Sequence, residues 1–224
     1  MQPVITPLGP HHADVVRALF EKVNGTVPNG FLTDRSTSEF EGILSEPQTS
    51  ASVGAWVGER LVGYALGIFE TGVVHPESPL MRHVQATGGR ICSGRGTIVD
   101  PEFQGKLLML SLMRERWEQM QAKGMPNLAG LIAVSNIGSL VNTFRAGTWM
   151  VGLEHDGECE NFVTYFGEYA KRLETVDEVI VEHGNLEKLR TLFENGWIAV
   201  SLERHGPERS LVLRRVPELK APKS

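Results

Sequence analysis

At 224 residues the chain exceeds one average domain and falls short of two, so one elaborated domain, or a domain with an appendage, is expected. Apolar and charged fractions of 41% and 22% exclude a disordered or fibrous protein. A formal charge of −5 argues against a protein that holds nucleic acid mainly by neutralising phosphates.

The chain opens with a short strand at Val4-Ile5. A helix follows from Asp14 to Val23, where Val15, Val16, Leu19, Phe20 and Val23 recur at helical spacing. A loop marked by Gly25, Pro28, Asn29 and Gly30 leads to a second helix, Ser36 to Leu44, with Ser36 and Glu39 in capping-box spacing and an end before Pro47. Ala51 to Val57 and Arg60 to Phe69 read as two antiparallel strands turned at Gly58-Glu59. Thr71 to Gly89 shows little periodicity and reads as a long connection, either an ordered loop of the kind that binds ligands or a floppy insertion. Ile91 to Val99 is another strand, closed by Asp100-Pro101. The helix after it carries Leu107, Leu110, Met113, Trp117 and Met120 up to Gly124. Leu128 to Val134 reads as a buried strand, Ile137 to Ala146 as a helix ending at Gly147, and Trp149 to Leu153 and Asn161 to Phe166 as closing strands.

After Phe166 the last unit recurs at an offset of 49: Asn136 falls on Asn185, Phe144 on Phe193 and Gly147 on Gly196. The pattern is either a duplicated strand–helix–strand–strand unit or two similar units of common type. In both cases residues 167–224 form an extension of a first domain at 1–166. The extension is expected to bury Val179, Val181, Leu189, Phe193, Trp197 and Val200 against that domain. The fold class expected is α/β, a mixed and mostly antiparallel central sheet flanked by helices.

Several chemistries are not expected. Cys92 and Cys159 lack C-x-x-C spacing, so neither a disulfide framework nor a thiolate zinc site is suggested, and two buried thiols in a reducing cytoplasm is the expectation. His11-His12 sits at a helix start where capping and solvation account for it, and no metal site is expected. There is no Gly-x-Ser-x-Gly elbow and no Walker phosphate loop. No basic segment followed by an apolar stretch opens the chain, and no apolar run approaches the ~18 residues of a membrane span, so a cytoplasmic protein without membrane contact is expected.

The informative stretch is Val99-Asp-Pro-Glu-Phe-Gln-Gly-Lys106, a strand running through a tight turn into a helix. Such a turn aims unpaired backbone N–H groups at one point, with the positive end of the helix dipole behind them, which suits a pyrophosphate. The stretch resembles the coenzyme A loop of the GNAT superfamily of N-acyltransferases, whose pattern is [RQ]-x-x-G-x-[GA] after a strand ending in Val-x-Pro. Gln104 matches the first position, whereas the two small positions fall on Leu107 and Met109. Asn136, Ser139, Thr143 and Gly147 resemble the family's spacing in the following helix, with Thr143 at its tyrosine position. By element order the resemblance covers residues 1 to 166.

That resemblance implies donor binding by Ile98, Val99, Gln104, Gly105, Lys106, Leu107, Leu108, Met109, Asn136 and Ser139. The donor would be acetyl-CoA or another acyl-CoA, with an acyl-phosphopantetheine on a carrier protein as the alternative that Leu107 and Met109 motivate, an acidic carrier then needing a basic face such as Lys106, Arg114 and Arg116. Glu70, Asn136 and Thr143 are the catalytic candidates, with His75 and His83 as other bases. A small-molecule amine would be the acceptor, nucleic acid (an aminoacyl-tRNA donor included) is disfavoured, and the chain would be a monomer or homodimer. A GNAT-fold sensing module without catalysis is the other reading that the missing tyrosine and glycines permit.

Overall fold

A computed structural model describes residues 2–28, 31–45, 50–70, 72, 74–156, 159–205 and 208–219. In chain order the elements are β1 (Val4–Pro7), α1 (Ala13–Asn24), α2 (Thr37–Ser45), β2 (Val53–Val57), β3 (Arg60–Phe69), α3 (Pro79–Ala86), β4 (Ile91–Val99), α4 (Leu108–Ala122) and β5 (Asn127–Ala133). They continue as α5 (Ile137–Arg145), β6 (Trp149–Asp156), β7 (Cys159–Gly167), β8 (Val176–Glu182), α6 (Leu186–Glu194), β9 (Trp197–His205) and β10 (Glu208–Arg215). Two compact units result: Met1–Glu70 with Cys92–Met125, and Thr71–Ile91 with Pro126–Ser224. Both are mixed α/β, with antiparallel strands and helices against them. Among the described residues no helix is long and apolar enough to cross a membrane.

In the first unit β1, β2, β3 and β4 pair in that order, all antiparallel. The expected capping box is present: the Ser36 N–H donates to Glu39 Oε2 (2.7 Å) and the Glu39 N–H to Ser36 Oγ (3.3 Å), so α2 begins where the sequence reads it. The residues around Pro47, where α2 was expected to end, and Asn29-Gly30 lie outside those described. Val16, Phe20, Phe40, Leu44, Tyr64 and Leu66 pack the core between α1, α2 and β3.

Two readings in this part of the chain are corrected. Thr71 to Gly89 is not an unstructured connection; it carries α3, with Pro79 at its first position and the Ser78 Oγ accepting from the Met81 N–H. Its apolar residues Leu80, Met81 and Val84 are buried in the second unit, spaced too briefly for periodicity to betray them. In α4 the buried face is Leu108, Leu112, Arg116 and Met120 rather than the row beginning at Leu107. The steps of four are those of a helix face, but a cation in the row hides it from a search for apolar periodicity.

The second unit orders its strands β5-β7-β6-β9-β10-β8. The offset of 49 holds element by element: β5 maps onto β8 and α5 onto α6 without a residue's slip. Both helices start on an asparagine whose Oδ1 accepts the third residue's N–H, Asn136 from Ser139 (3.1 Å) and Asn185 from Lys188 (3.2 Å). Both end before a glycine at φ +79°, Gly147 and Gly196. The copies meet where β6 and β9 pair antiparallel at Met150↔Ala199, a residue and its own equivalent. That register places an approximate two-fold axis between them. Leu140, Met150 and Phe162 share one core with their counterparts Leu189, Ala199 and Leu211. Val181, Leu189 and Phe193 are buried as expected, and Val179, Trp197 and Val200 are partly so.

Candidate donor loop and acyl-transfer residues

The candidate loop begins where β4 leaves the sheet. Ile98 and Val99 are buried opposite Tyr64 and Gly63. Asp100 then anchors the turn. Its backbone N–H donates to the Val62 carbonyl (2.9 Å), and its carboxylate accepts from the Glu102 N–H (3.1 Å), Lys22 Nζ (2.8 Å) and Arg60 Nη2 (2.7 Å). Burial pushes the Asp100 carboxyl up, but the hydrogen bonds from Lys22, Arg60 and the backbone outweigh it, leaving the group below the usual aspartate range. A single turn of 3-10 helix, Pro101–Phe103, follows.

Gln104 is extended and reaches back to the Val99 carbonyl with Nε2 (3.4 Å). Gly105 lies at φ +73° and Leu107 at φ +60°, so two of the next three residues are left-handed before α4 starts at Leu108. Leucine pays roughly 1 kcal/mol for that conformation relative to glycine. Leu107 stands at the position where the GNAT pattern has its glycine, and it adopts the backbone conformation a glycine would take freely. Its side chain is 64% exposed and makes no cap to the helix. Lys106 Nζ sits 5.1 Å from the centre of the Phe103 ring and donates to the Glu102 carbonyl (3.3 Å). Leu108 is buried and Met109 partly so, both packed against Val53, Val62 and Leu112.

Farther up β4 the pairing with β3 slips by one residue: Ala65 faces Thr97, but Gly67 faces Gly94. Arg95 and Gly96, the latter at φ +114°, therefore share the place opposite Leu66 as a β-bulge. Arg116 of α4 answers it: Nη1 donates to the Leu66 carbonyl (3.0 Å) and reaches Thr97 Oγ1 (3.4 Å), which explains a guanidinium in the helix's buried row. The sequence offers Arg116, with Lys106 and Arg114, as part of a basic face for an acidic carrier protein; its burial takes it off any such face, and the bulge was missed although Gly94 and Gly96 inside an apolar strand were the available clue.

The remaining candidates are distributed as follows. Glu70, at the end of β3, is ion-paired with Arg95 Nη2. Asn136 is the cap of α5, and its oxygen holds the Ser139 N–H. Thr143 is 4% exposed and aligns with Leu192 of the second copy, a position facing the apolar interior. His83 is on α3 beside the Tyr169 ring, 5.0 Å between centres. His75 is 12% exposed at φ +51°, and its Nδ1 lies 2.7 Å from Glu154 Oε2 on β6. A left-handed backbone and a carboxylate on one ring nitrogen are features of an oriented imidazole. Cys92 is fully buried, and burial pushes its thiol up to about 11, so it is no nucleophile; Cys159 is half-buried rather than buried. His12 Nδ1 accepts the Gly9 N–H (2.9 Å) ahead of α1, as a local cap. Among the described residues no group of three or more His, Cys, Asp or Glu side chains is gathered as a metal site would need.

A mostly antiparallel sheet whose fourth strand bulges, then turns through a tight loop into a helix, is the arrangement expected of a GNAT-type fold. Solved structures bear this out. An N-acetyltransferase from Staphylococcus aureus Mu50 matches with a TM-score of 0.58 at 14% identity, covering 75% of this chain and 98% of its own. A GNAT-family acetyltransferase from Streptococcus pneumoniae matches at 0.56 and 14%, covering 74% and 99%. PaiA N-acetyltransferase from Thermoplasma acidophilum, in complex with coenzyme A, matches at 0.55 and 12%, covering 75% and 99%. No protein-family model matches the chain, and no curated protein matches it by sequence. The chain has the fold of GNAT N-acetyltransferases.

Proposed function

We propose that this protein is an N-acyltransferase that passes an acyl group from a coenzyme A thioester to the amine of a small molecule. The observation that carries the reading is the loop after β4, where Gly105 and Leu107 are both left-handed ahead of an α4 without a side-chain cap. A left-handed leucine at a helix start, where only glycine is free of strain, leaves the backbone N–H groups in the arrangement that an anion-binding turn uses. That the Thermoplasma relative by fold is in complex with coenzyme A supports the same donor.

In the reaction the amine nitrogen attacks the thioester carbonyl, a C–N bond forms, the C–S bond breaks, and the amine's proton goes to a base while the thiolate leaves. Orientation supplies most of the acceleration and the base the remainder. Glu70, as the carboxylate at the end of β3, and Asn136 and Thr143, by resemblance, remain the catalytic candidates, but each is engaged otherwise: Glu70 by Arg95, Asn136 by its cap and Thr143 by burial. His75, whose Nδ1 lies 2.7 Å from Glu154 Oε2, is the alternative base. Residues 167–224 are assigned a structural role, because β8 is not preceded by a strand–turn–helix anion loop of its own. Calorimetric titration with acetyl-CoA, coenzyme A and an acyl-carrier donor, with thiol release across a set of amines, is the test. One coenzyme A per chain and amine-dependent thiol release are expected; failure of every thioester to bind would refute the reading.

A further inference from the structure

Arg116 carries a charge that its place in α4 does not require. Its neighbours in the buried row of the helix are Leu108, Leu112 and Met120, and a fourth apolar residue would fill the space without desolvating a cation. The side chain is 4% exposed, yet its bonds go to neutral oxygens: Nη1 donates to the Leu66 carbonyl (3.0 Å) and reaches Thr97 Oγ1 (3.4 Å). Nε is buried without a partner, and among the described residues no carboxylate accepts from the guanidinium.

The packing delivers that group to one spot. Leu112 and Arg116, one turn apart on α4, lie over Gly63 and Gly67, four residues apart on β3. A Cβ on Gly63 would stand 3.0 Å from Leu112 Cδ1, and one on Gly67 3.5 Å from Arg116 Cδ, so bare backbone lets the helix approach closely at both. Arg116 thus meets the β4 bulge itself: Leu66 stands opposite the extra residue, and Thr97 is the first β4 residue beyond it. A bulge takes its extra residue out of the ladder, which leaves the Leu66 carbonyl for Arg116 and frees backbone N–H of β4 for another acceptor. Gly96 lies three residues before Val99, about 10 Å along the strand from the candidate donor loop.

A thioester carbonyl needs a hydrogen-bond donor as the amine attacks it. We infer that Arg116 is a positioning residue for acyl transfer: by holding Leu66 and Thr97 it keeps the β4 bulge open, and a bulge N–H receives the acyl carbonyl. Arg116 touches neither donor nor acceptor and acts through the strand. The inference rests on the proposed coenzyme A donor.

The test reads binding, backbone and turnover on the full chain. Calorimetry compares acetonyl-CoA, an unreactive ketone analogue, with S-ethyl-CoA, which lacks the carbonyl. Amide hydrogen exchange across residues 91–99 reports the bulge, and thermal unfolding reports the fold. The wild type should bind the ketone roughly fivefold tighter, the contribution of one hydrogen bond. Arg116→Met, which fills the row without the charge, should erase that preference and alter exchange at residues 95–97. It should also lower kcat about tenfold or more with KM for acetyl-CoA within about twofold, while the unfolding midpoint holds or rises. Arg116→Lys, whose ammonium can still meet the Leu66 carbonyl, should recover part of both the preference and kcat. A carbonyl preference and kcat that survive Arg116→Met would overturn the inference. So would a joint fall in midpoint, kcat and binding of both analogues with Lys no better than Met, the mark of packing alone. Equal binding of the two analogues by the wild type would remove the bulge from the reaction and leave the donor reading standing; binding of neither would sink that reading and the inference with it.

Discussion

Asp100→Asn isolates the anchor of the candidate donor loop. The wild-type carboxylate is 1% exposed and is held by Lys22 and Arg60, whose side chains are 45% and 49% exposed. Hydrogen bonds to charged groups contribute about 1.5–3 kcal/mol each. Because both cations are half in water they rehydrate when the charge is removed, and the Glu102 N–H keeps an amide oxygen to donate to, so the net loss comes to about 1–3 kcal/mol at pH 7. The pH dependence follows from the direction of the shift. A carboxyl held below its unfolded value near 3.9 stabilises the fold above that value, and the contribution disappears as pH falls through the folded pKa. Urea unfolding of both proteins from pH 7 downward should therefore show the variant less stable at neutral pH and the two curves converging in acid. Equal stability at pH 7, or a gap that does not narrow on acidification, would refute the anchoring role.

Leu107→Gly removes a strained left-handed leucine and bares the backbone, so coenzyme A should bind several-fold tighter by calorimetry while stability stays within about 1 kcal/mol. Thr143→Ala should lower turnover only a few-fold, since the hydroxyl faces the interior; a thousandfold loss with the fold intact would make it an essential acid. His75→Ala should cost roughly 100-fold or more in kcat at neutral pH and Glu154→Gln less, whereas Glu70→Gln should cost little if His75 is the base. Truncation after Tyr169 removes β9 from one edge of β6 and uncovers Leu140, Met150 and Phe162, so the product should aggregate in gel filtration; a monodisperse, fully active fragment would contradict that.

Features that depend on residues within one helical turn were legible in the sequence. The Ser36–Glu39 box, the Asn136 and Asn185 caps, the glycines after α5 and α6 and the turn after Val99 all follow from side chains reaching three or four positions along their own backbone, where spacing is geometry. The 49-residue recurrence was legible for the same reason, since identical local instructions repeat. What the repeat builds was not: only the Met150↔Ala199 pairing turns two copies into halves of one sheet about an axis. The candidate donor loop shows the boundary between the two kinds of information. Its residues and order could be read, but a leucine in the left-handed region is a conformation its own propensity opposes, set between the buried Leu108 and the turn that Asp100 anchors. Charges decided by tertiary structure were the least readable. Lys22 meets Asp100 across 78 residues and His75 meets Glu154 across 79, while Arg116 sits in a core row because a bulge in another strand leaves a carbonyl for it. A charged side chain carries no periodic sign of its partner, so where it is buried, and what it does there, is settled when the strands pair.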